Sequence, residues 1–192
     1  MIAAMQVSLD GLTQGPNGEK DWADSWDSAL QLIPEVDTFV LGARMYPDYG
    51  EYWQSIQANP GRVAPFVERV PTKSEVAYAE FAAKTPHIVL STTLESVSWP
   101  PTARVVRGIA ELRALKAQPG KNIYVVGGAT LVANLLNEDL VDELGLIVHP
   151  IVLGTGQALF GGVSRPRSFA LVEVKSTNSG RVIATYRIEP RR

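Results

Sequence analysis

The chain has 192 residues with 18 Lys and Arg against 20 Asp and Glu, a formal net charge of −2, and is 45% hydrophobic and 20% charged. Such a chain can bury a full core unaided, which excludes disordered, collagen-like and solenoid classes and predicts one domain over residues 1–192. The near-neutral charge, with no basic run longer than Arg191-Arg192, leaves no electrostatic footprint for a phosphate backbone, so a nucleic-acid partner is not expected.

There is no Cys, and His87 and His149 are the only histidines. Thiol chemistry and Cys- or multi-His metal sites are therefore removed, and no metal is expected. Met1 to Leu9 is apolar without a basic flank or a cleavage site and reads as a first strand, not a signal peptide. No window approaches the roughly 18 consecutive apolar residues that a spanning helix needs, so no membrane is expected and the protein is read as soluble and cytoplasmic.

Strand-length runs rich in Val and Ile follow in order: Ile2 to Leu9, Thr38 to Leu41, His87 to Leu90, Ile123 to Val126, Leu144 to Val152, Phe169 to Val174 and Val182 to Ile188. Helical spacing is found at Asp27 to Ile33, Ile109 to Lys116 and Ala129 to Leu136. Residues 53–85 are interrupted by Pro60, Pro65 and Pro71, have helical composition only over Lys73 to Ala83, and read as a surface excursion. Alternation of strand and helix to about residue 140 implies a mostly parallel sheet covered by helices. The last runs, with a turn at Thr177-Asn178-Ser179-Gly180, imply an antiparallel end. The expected fold class is α/β, three layers, with a mixed sheet.

The sharpest local signal is Asn122 to Leu131, an apolar strand running through Gly127-Gly128 into a helix. Backbone without side chains at a strand's carboxyl end lets a ligand approach, and the helix N-terminus offers N–H groups to an anion. Two glycines can equally make nothing more than a tight turn. Neither a dinucleotide G-x-G-x-x-G nor a P-loop is present. Two further strand ends carry suitable groups, Gly42-Ala43-Arg44 and Leu90-Ser91-Thr92-Thr93, and the expectation is that all three ends serve one phosphate-bearing ligand. Arg44 could also be a solvated cation, and the hydroxyls a capped loop start. Asp10 could bond a substrate N–H or cap its own turn, and the loop Leu12 to Asp21 reads as a mobile lid. His149 shares a strand face with Ile147 and Gly145, and Gly154-Thr155-Gly156 is a weak phosphate signal.

These segments, in this order, resemble the dihydrofolate reductase-like superfamily, most closely the reductase domain of the bacterial bifunctional riboflavin-biosynthesis deaminase/reductase and its stand-alone relatives. The matching pieces are Ser8-Leu9-Asp10-Gly11, Leu41 to Tyr46, Leu90-Ser91, Val125 to Leu131, Leu140 to Leu144 and His149 to Gly156. The resemblance implies a sheet of about eight strands, NADPH as cofactor, and a non-proline cis peptide at the glycine pair. By position it implies that Gly127, Gly128, Ala129, Thr130 and Leu131 hold the nicotinamide and pyrophosphate side. Ala4 would line the nicotinamide pocket, Gly42 and Arg44 would meet phosphates, and Leu90, Ser91 and Thr92 would lie near the adenosine 2′-phosphate. Asp10, Asp27, Ile147 and His149 would face a small-molecule substrate, with Asp10 orienting it or relaying the proton.

Ala43 and Met45 stand where the family commonly has a basic residue and a hydroxyl, which points to weakened cofactor binding. Ile147, where dihydrofolate reductases keep Thr, speaks against folate. The expected reaction is hydride transfer from NADPH to a polarised C=N or C=O of a small heterocycle or carbonyl compound. The alternatives are a non-catalytic binding protein of the same fold and a relative using a flavin. The apolar late strands predict a homodimer.

Overall fold

The computed structural model describes residues 1–23 and 35–189. The fold class is α/β, with a mostly parallel eight-stranded sheet antiparallel at its C-terminal end, as the alternation predicts. The chain divides into two compact units, Met1–Leu32 with Tyr124–Arg192, and Ile33–Ile123.

In the first unit the central strand is β1 (Ile2–Val7). It pairs in parallel with β6 (Asn122–Gly127) and, along its whole length, with β7 (Glu143–Val148). Consecutive residues, and so both faces, of these parallel strands are buried, and β1 and β6 read as nearly unbroken apolar runs. A short strand, β2 (Leu12–Gln14), pairs with β8 (Gln157–Ala158). The antiparallel hairpin of β9 (Phe169–Ser176) and β10 (Val182–Ile188) joins β7 through β10. Its turn lies where the sequence puts it, with Gly180 at φ 77°. The strand expected over Leu144 to Val152 stops at Val148, because Pro150 has no N–H to continue the ladder. The helix after β6 covers Ala129–Asn137 and buries six of its nine residues; it is apolar nearly all round because it packs as core.

In the second unit β3 (Val36–Gly42), β4 (His87–Leu90) and β5 (Arg104–Val106) run parallel. The helices are α1 (Tyr46–Ala58), α2 (Lys73–Ala82) and α3 (Ile109–Lys116), so the Ala129–Asn137 helix is α4. The predicted helix over Asp27 to Ile33 lies outside the described residues. The reading of 53–85 as a surface excursion is corrected: Trp53 is 2% exposed, Ile56 1%, and Ala79 and Ala82 are fully buried. Tyr46, Tyr49, Trp53 and Ile56 recur at helical spacing, three of the four as aromatics, and Pro47 sits in the first turn where a missing N–H costs nothing.

Helices α1 and α2 of this unit are fastened by buried polar groups. Tyr49 Oη lies 2.9 Å from both His87 Nε2 and Tyr78 Oη, and His87 Nδ1 donates to the Thr85 carbonyl at 2.7 Å. Burial pushes the His87 imidazole down to about 4, so it is neutral at pH 7. Glu75 is completely buried. It closes a capping box with Thr72, accepts from Tyr52 Oη at 2.9 Å, and takes both guanidinium nitrogens of Arg69 at 2.8 and 2.9 Å. Burial raises its pKa, but the hydrogen bonds from Arg69, the Thr72 N–H and Tyr52 outweigh burial and hold it at about 2.

Because this folded pKa lies below the ordinary value, the contribution of Glu75 is complete above about pH 4.5 and is lost as pH falls towards 2. Replacing Glu75 by Gln should cost about 2–3 kcal/mol at pH 7, measured by urea unfolding, and should flatten the fall in stability between those two pH values.

Candidate functional site

At the end of β6 the peptide Gly127-Gly128 is cis, as the resemblance implies, and Gly127 has φ 126°, a conformation that L side chains rarely adopt. Gly128 has an ordinary φ of −88°, and a Cβ placed on it would meet nothing within 4 Å. Packing does not require glycine at 128; the space before it is open. Gly128 gives α4 no side-chain cap, so the N–H groups of the first turn have no partner from that residue. Ala129 and Leu131 are 4% and 5% exposed and pack inward, leaving their backbone for a ligand. Thr130 is exposed, and its hydroxyl accepts a long bond from Gln157 Nε2 at 3.4 Å.

On β1 the alternation of faces puts Ala4, Gln6 and Ser8 on one side. Register pairs Ala4 with Gly145 and Gln6 with Ile147, and His149 follows two residues later. Ala4, Ile147 and His149 are thus brought to one face. Ile147 is fully buried and has no surface for a substrate. His149, 3% exposed, lies beyond the strand with its Nε2 2.7 Å from Gln6 Oε1 and its ring edge-on to Trp22. Asp27 lies outside the described residues.

Asp10 is exposed, yet its carboxylate is engaged. Oδ1 accepts from the Ser8 hydroxyl at 2.6 Å and the Leu153 N–H at 3.2 Å, and Oδ2 accepts from the Gly154 N–H at 2.7 Å. The Ser8 bond first, then that from Gly154, holds its pKa at about 2. The group is ionised throughout the neutral range, with both oxygens committed to the turn and to the loop of residues 150–156. The loop expected to be a free lid is fastened instead: β2 lies within it, Leu159 N–H donates to the Gly11 carbonyl at 3.0 Å, and the Thr13 hydroxyl donates to the Gln157 carbonyl at 3.1 Å. Gly156 belongs to that fastening and gives no phosphate signal: its φ is 149° and a Cβ would fall 2.1 Å from the Gln14 carbonyl oxygen.

In the second unit the register Gly42 to Leu90 to Val106 lines up the carboxyl ends of β3, β4 and β5. Arg44 is exposed, and among the described residues its guanidinium has no hydrogen-bonding or ionic partner. Ser91 is 5% exposed, and its Oγ accepts the Leu94 and Thr93 N–H groups at 2.8 and 3.2 Å, which closes the turn. Thr92 and Thr93 stay exposed. Arg107 Nη1 donates to the Ser91 and Leu94 carbonyls at 3.0 and 2.6 Å. Sequence reasoning missed Arg107 because β5 is only three residues long, and it missed Gln6 because one amide in an apolar run looks incidental. The signal for Gln6 was its period-two spacing from Ala4 and Ser8.

No helix among the described residues is long and apolar enough to cross a membrane. Uncharacterized protein YyaP of Bacillus subtilis (strain 168) is 30% identical over 188 residues, 97% of this chain and 93% of that one. A crystal structure from Shewanella sp. PV-4, named for riboflavin biosynthesis, superposes with a TM-score of 0.68 at 25% identity, covering 98% of both chains. Dihydrofolate reductase from Enterococcus faecalis, solved with NADP(H), gives a TM-score of 0.60 at 16% identity, covering 99% of this chain and 97% of its own, and shows the shared fold. A family model, the RibD C-terminal domain, matches residues 1–184. The chain belongs to the RibD C-terminal domain family.

Proposed function

We propose that the protein is an NADPH-dependent reductase of a small heterocyclic or carbonyl substrate. The observation that carries this reading is the corner at Gly127-Gly128, where open space before Gly128 meets the uncapped start of α4. The residues present suit the cofactor. The Gly127 to Leu131 backbone offers close approach and N–H donors; in the other unit, taken by itself, Arg44 keeps an uncommitted guanidinium at the position for which the resemblance implies a phosphate contact. Bound there, the cofactor supplies a hydride to a polarised C=N or C=O. The chain itself binds and orients, and Asp10 holds the loop of residues 150–156 as a positioning residue.

NADPH, titrated by tryptophan quenching, should bind more tightly than NADH. Gly128→Ala should weaken both nucleotides at least about tenfold with an unchanged melting temperature, since the added methyl meets no protein atom within 4 Å. Arg44→Gln should weaken NADPH binding by about tenfold, the worth of one charge-assisted hydrogen bond. Failure to bind either nucleotide would favour a non-catalytic protein of this fold, or, if a flavin binds instead, a flavin-dependent one. For Asp10, Asp10→Ala should speed amide hydrogen exchange at Gly154 while leaving β1 protected; unchanged exchange at Gly154 would remove the positioning role.

A homodimer is part of the same proposal. Strand β9 is the last of its sheet, and Leu171, Val172, Val174 and Val182 are 55, 50, 55 and 38% exposed. Antiparallel pairing about a twofold axis at Val174 would set Glu173 opposite Lys175 of a second copy, so the edge is self-complementary in charge. Light scattering should give a dimer for the wild type and a monomer for Leu171→Asp/Val174→Asp.

A further inference from the structure

Helix α1 has a second face besides the one it gives to the core. Tyr46, Gly50, Gln54 and Ala58 recur every four residues along it, and Leu94 and Trp99 stand opposite. Between these two walls, both within the second unit, lies an open groove of about 590 Å³, within the size range of small-molecule sites.

Hydrogen bonds tie the walls to each other. The Tyr46 hydroxyl accepts from the Ser98 and Trp99 backbone N–H groups, both at 2.9 Å, and donates to the Trp99 carbonyl at 2.9 Å. The Trp99 indole N–H donates to Gln57 Oε1 at 3.0 Å. The groove is therefore preformed. Gly50, in the middle of the α1 stripe, keeps it open. Glycine is unfavourable inside a helix, and outside the helix backbone a Cβ at residue 50 would meet only Tyr46 Cζ, at 4.0 Å, an ordinary contact. Packing does not call for glycine there, and a longer side chain would fill the groove along its α1 wall.

The chemistry of the walls selects the occupant. The Tyr46 hydroxyl and the Trp99 indole N–H are committed to the ties, so these residues offer a ligand aromatic surface and no hydrogen bond. Charge is one-sided: residues 46–58 and 94–99 hold Asp48, Glu51 and Glu95 and no basic residue. All three carboxylates are exposed, and none has a hydrogen-bonding or ionic partner among the described residues. Glu51 lines the groove itself. Aromatic surface bordered by carboxylates attracts a cation and repels an anion.

We propose that this groove binds a small organic cation, with an apolar ring lying against Tyr46 and Trp99 and an ammonium group beside Glu51. The site uses none of the residues assigned to the cofactor, so it goes beyond the reductase reading and does not depend on it.

The probes are phenethylammonium, 2-phenylethanol and 3-phenylpropanoate, which share a ring and differ in charge. Binding is followed by NMR at the Trp99 indole N–H and the Gly50 amide. The ammonium compound should shift both resonances saturably and bind about fivefold more tightly than the alcohol, with the carboxylate weakest. Glu51→Gln should remove most of the advantage of the cation over the alcohol. Gly50→Leu places a better helix former in the groove and should abolish binding of the cation without lowering the melting temperature. If that variant does not fold, Gly50→Ala carries the test and should weaken the cation by a measurable factor. No saturable shift up to about 10 mM probe, equal affinity for cation and alcohol, or a folded Gly50 or Glu51 variant that behaves as wild type would each overturn the proposal. NADPH titration of Gly50→Leu keeps the two readings apart: loss of the cation with nucleotide binding unchanged supports a separate site, and loss of both would overturn the separation.

Discussion

The ladder on both sides of β1 is the constraint on which the first unit depends. A strand paired along one edge can slip by a residue and turn its side chains over. With β6 on one side and β7 on the other, a slip in β1 would break both ladders. The positions of Ala4, Gln6 and Ser8 are set by this pairing and not by their own preferences. The same pairing delivers the chain at Ser8 in a fixed direction, and the Ser8 hydroxyl turns back to bond Asp10 at 2.6 Å.

Glycine serves three separate purposes around this strand. Gly127 takes a φ of 126°. At Gly156 a side chain would strike the Gln14 carbonyl. At Gly128 neither reason applies, since its φ is ordinary and the space beyond is open. A glycine whose φ and surroundings would admit a side chain supports the proposed ligand at this corner more than one held by its own backbone or packing.

The fold class was legible because its signals are periodic and local. Strand-length Val/Ile runs, the helix after Gly128 and the turn at Gly180 depend on neighbours in sequence and appear where expected. Helix α1 was not legible, because its buried stripe of Tyr46, Tyr49, Trp53 and Ile56 is mostly aromatic and half of it falls in a proline-rich stretch. Strands β2, β5 and β8, of three, three and two residues, are too short to show a period. In the site, residue types at strand ends could be picked out, but their commitments could not. The capped loop start at Ser91 is local and was among the readings of the sequence, whereas the bonds of Asp10 to backbone more than 140 residues away are tertiary facts.

Those commitments change the physical character of the site. The β1–β2 turn and the loop of residues 150–156 are joined by Leu9 N–H to the Ile151 carbonyl at 2.8 Å, by Gly154 N–H to Asp10 at 2.7 Å, and by the β2–β8 pairing. A mobile lid would lose conformational freedom each time a substrate bound, whereas loops fastened in this way lose it once, on folding. Binding free energy is then available for orientation. A carboxylate held by three donors is preorganised, so it presents its polar atoms in one direction before any ligand arrives.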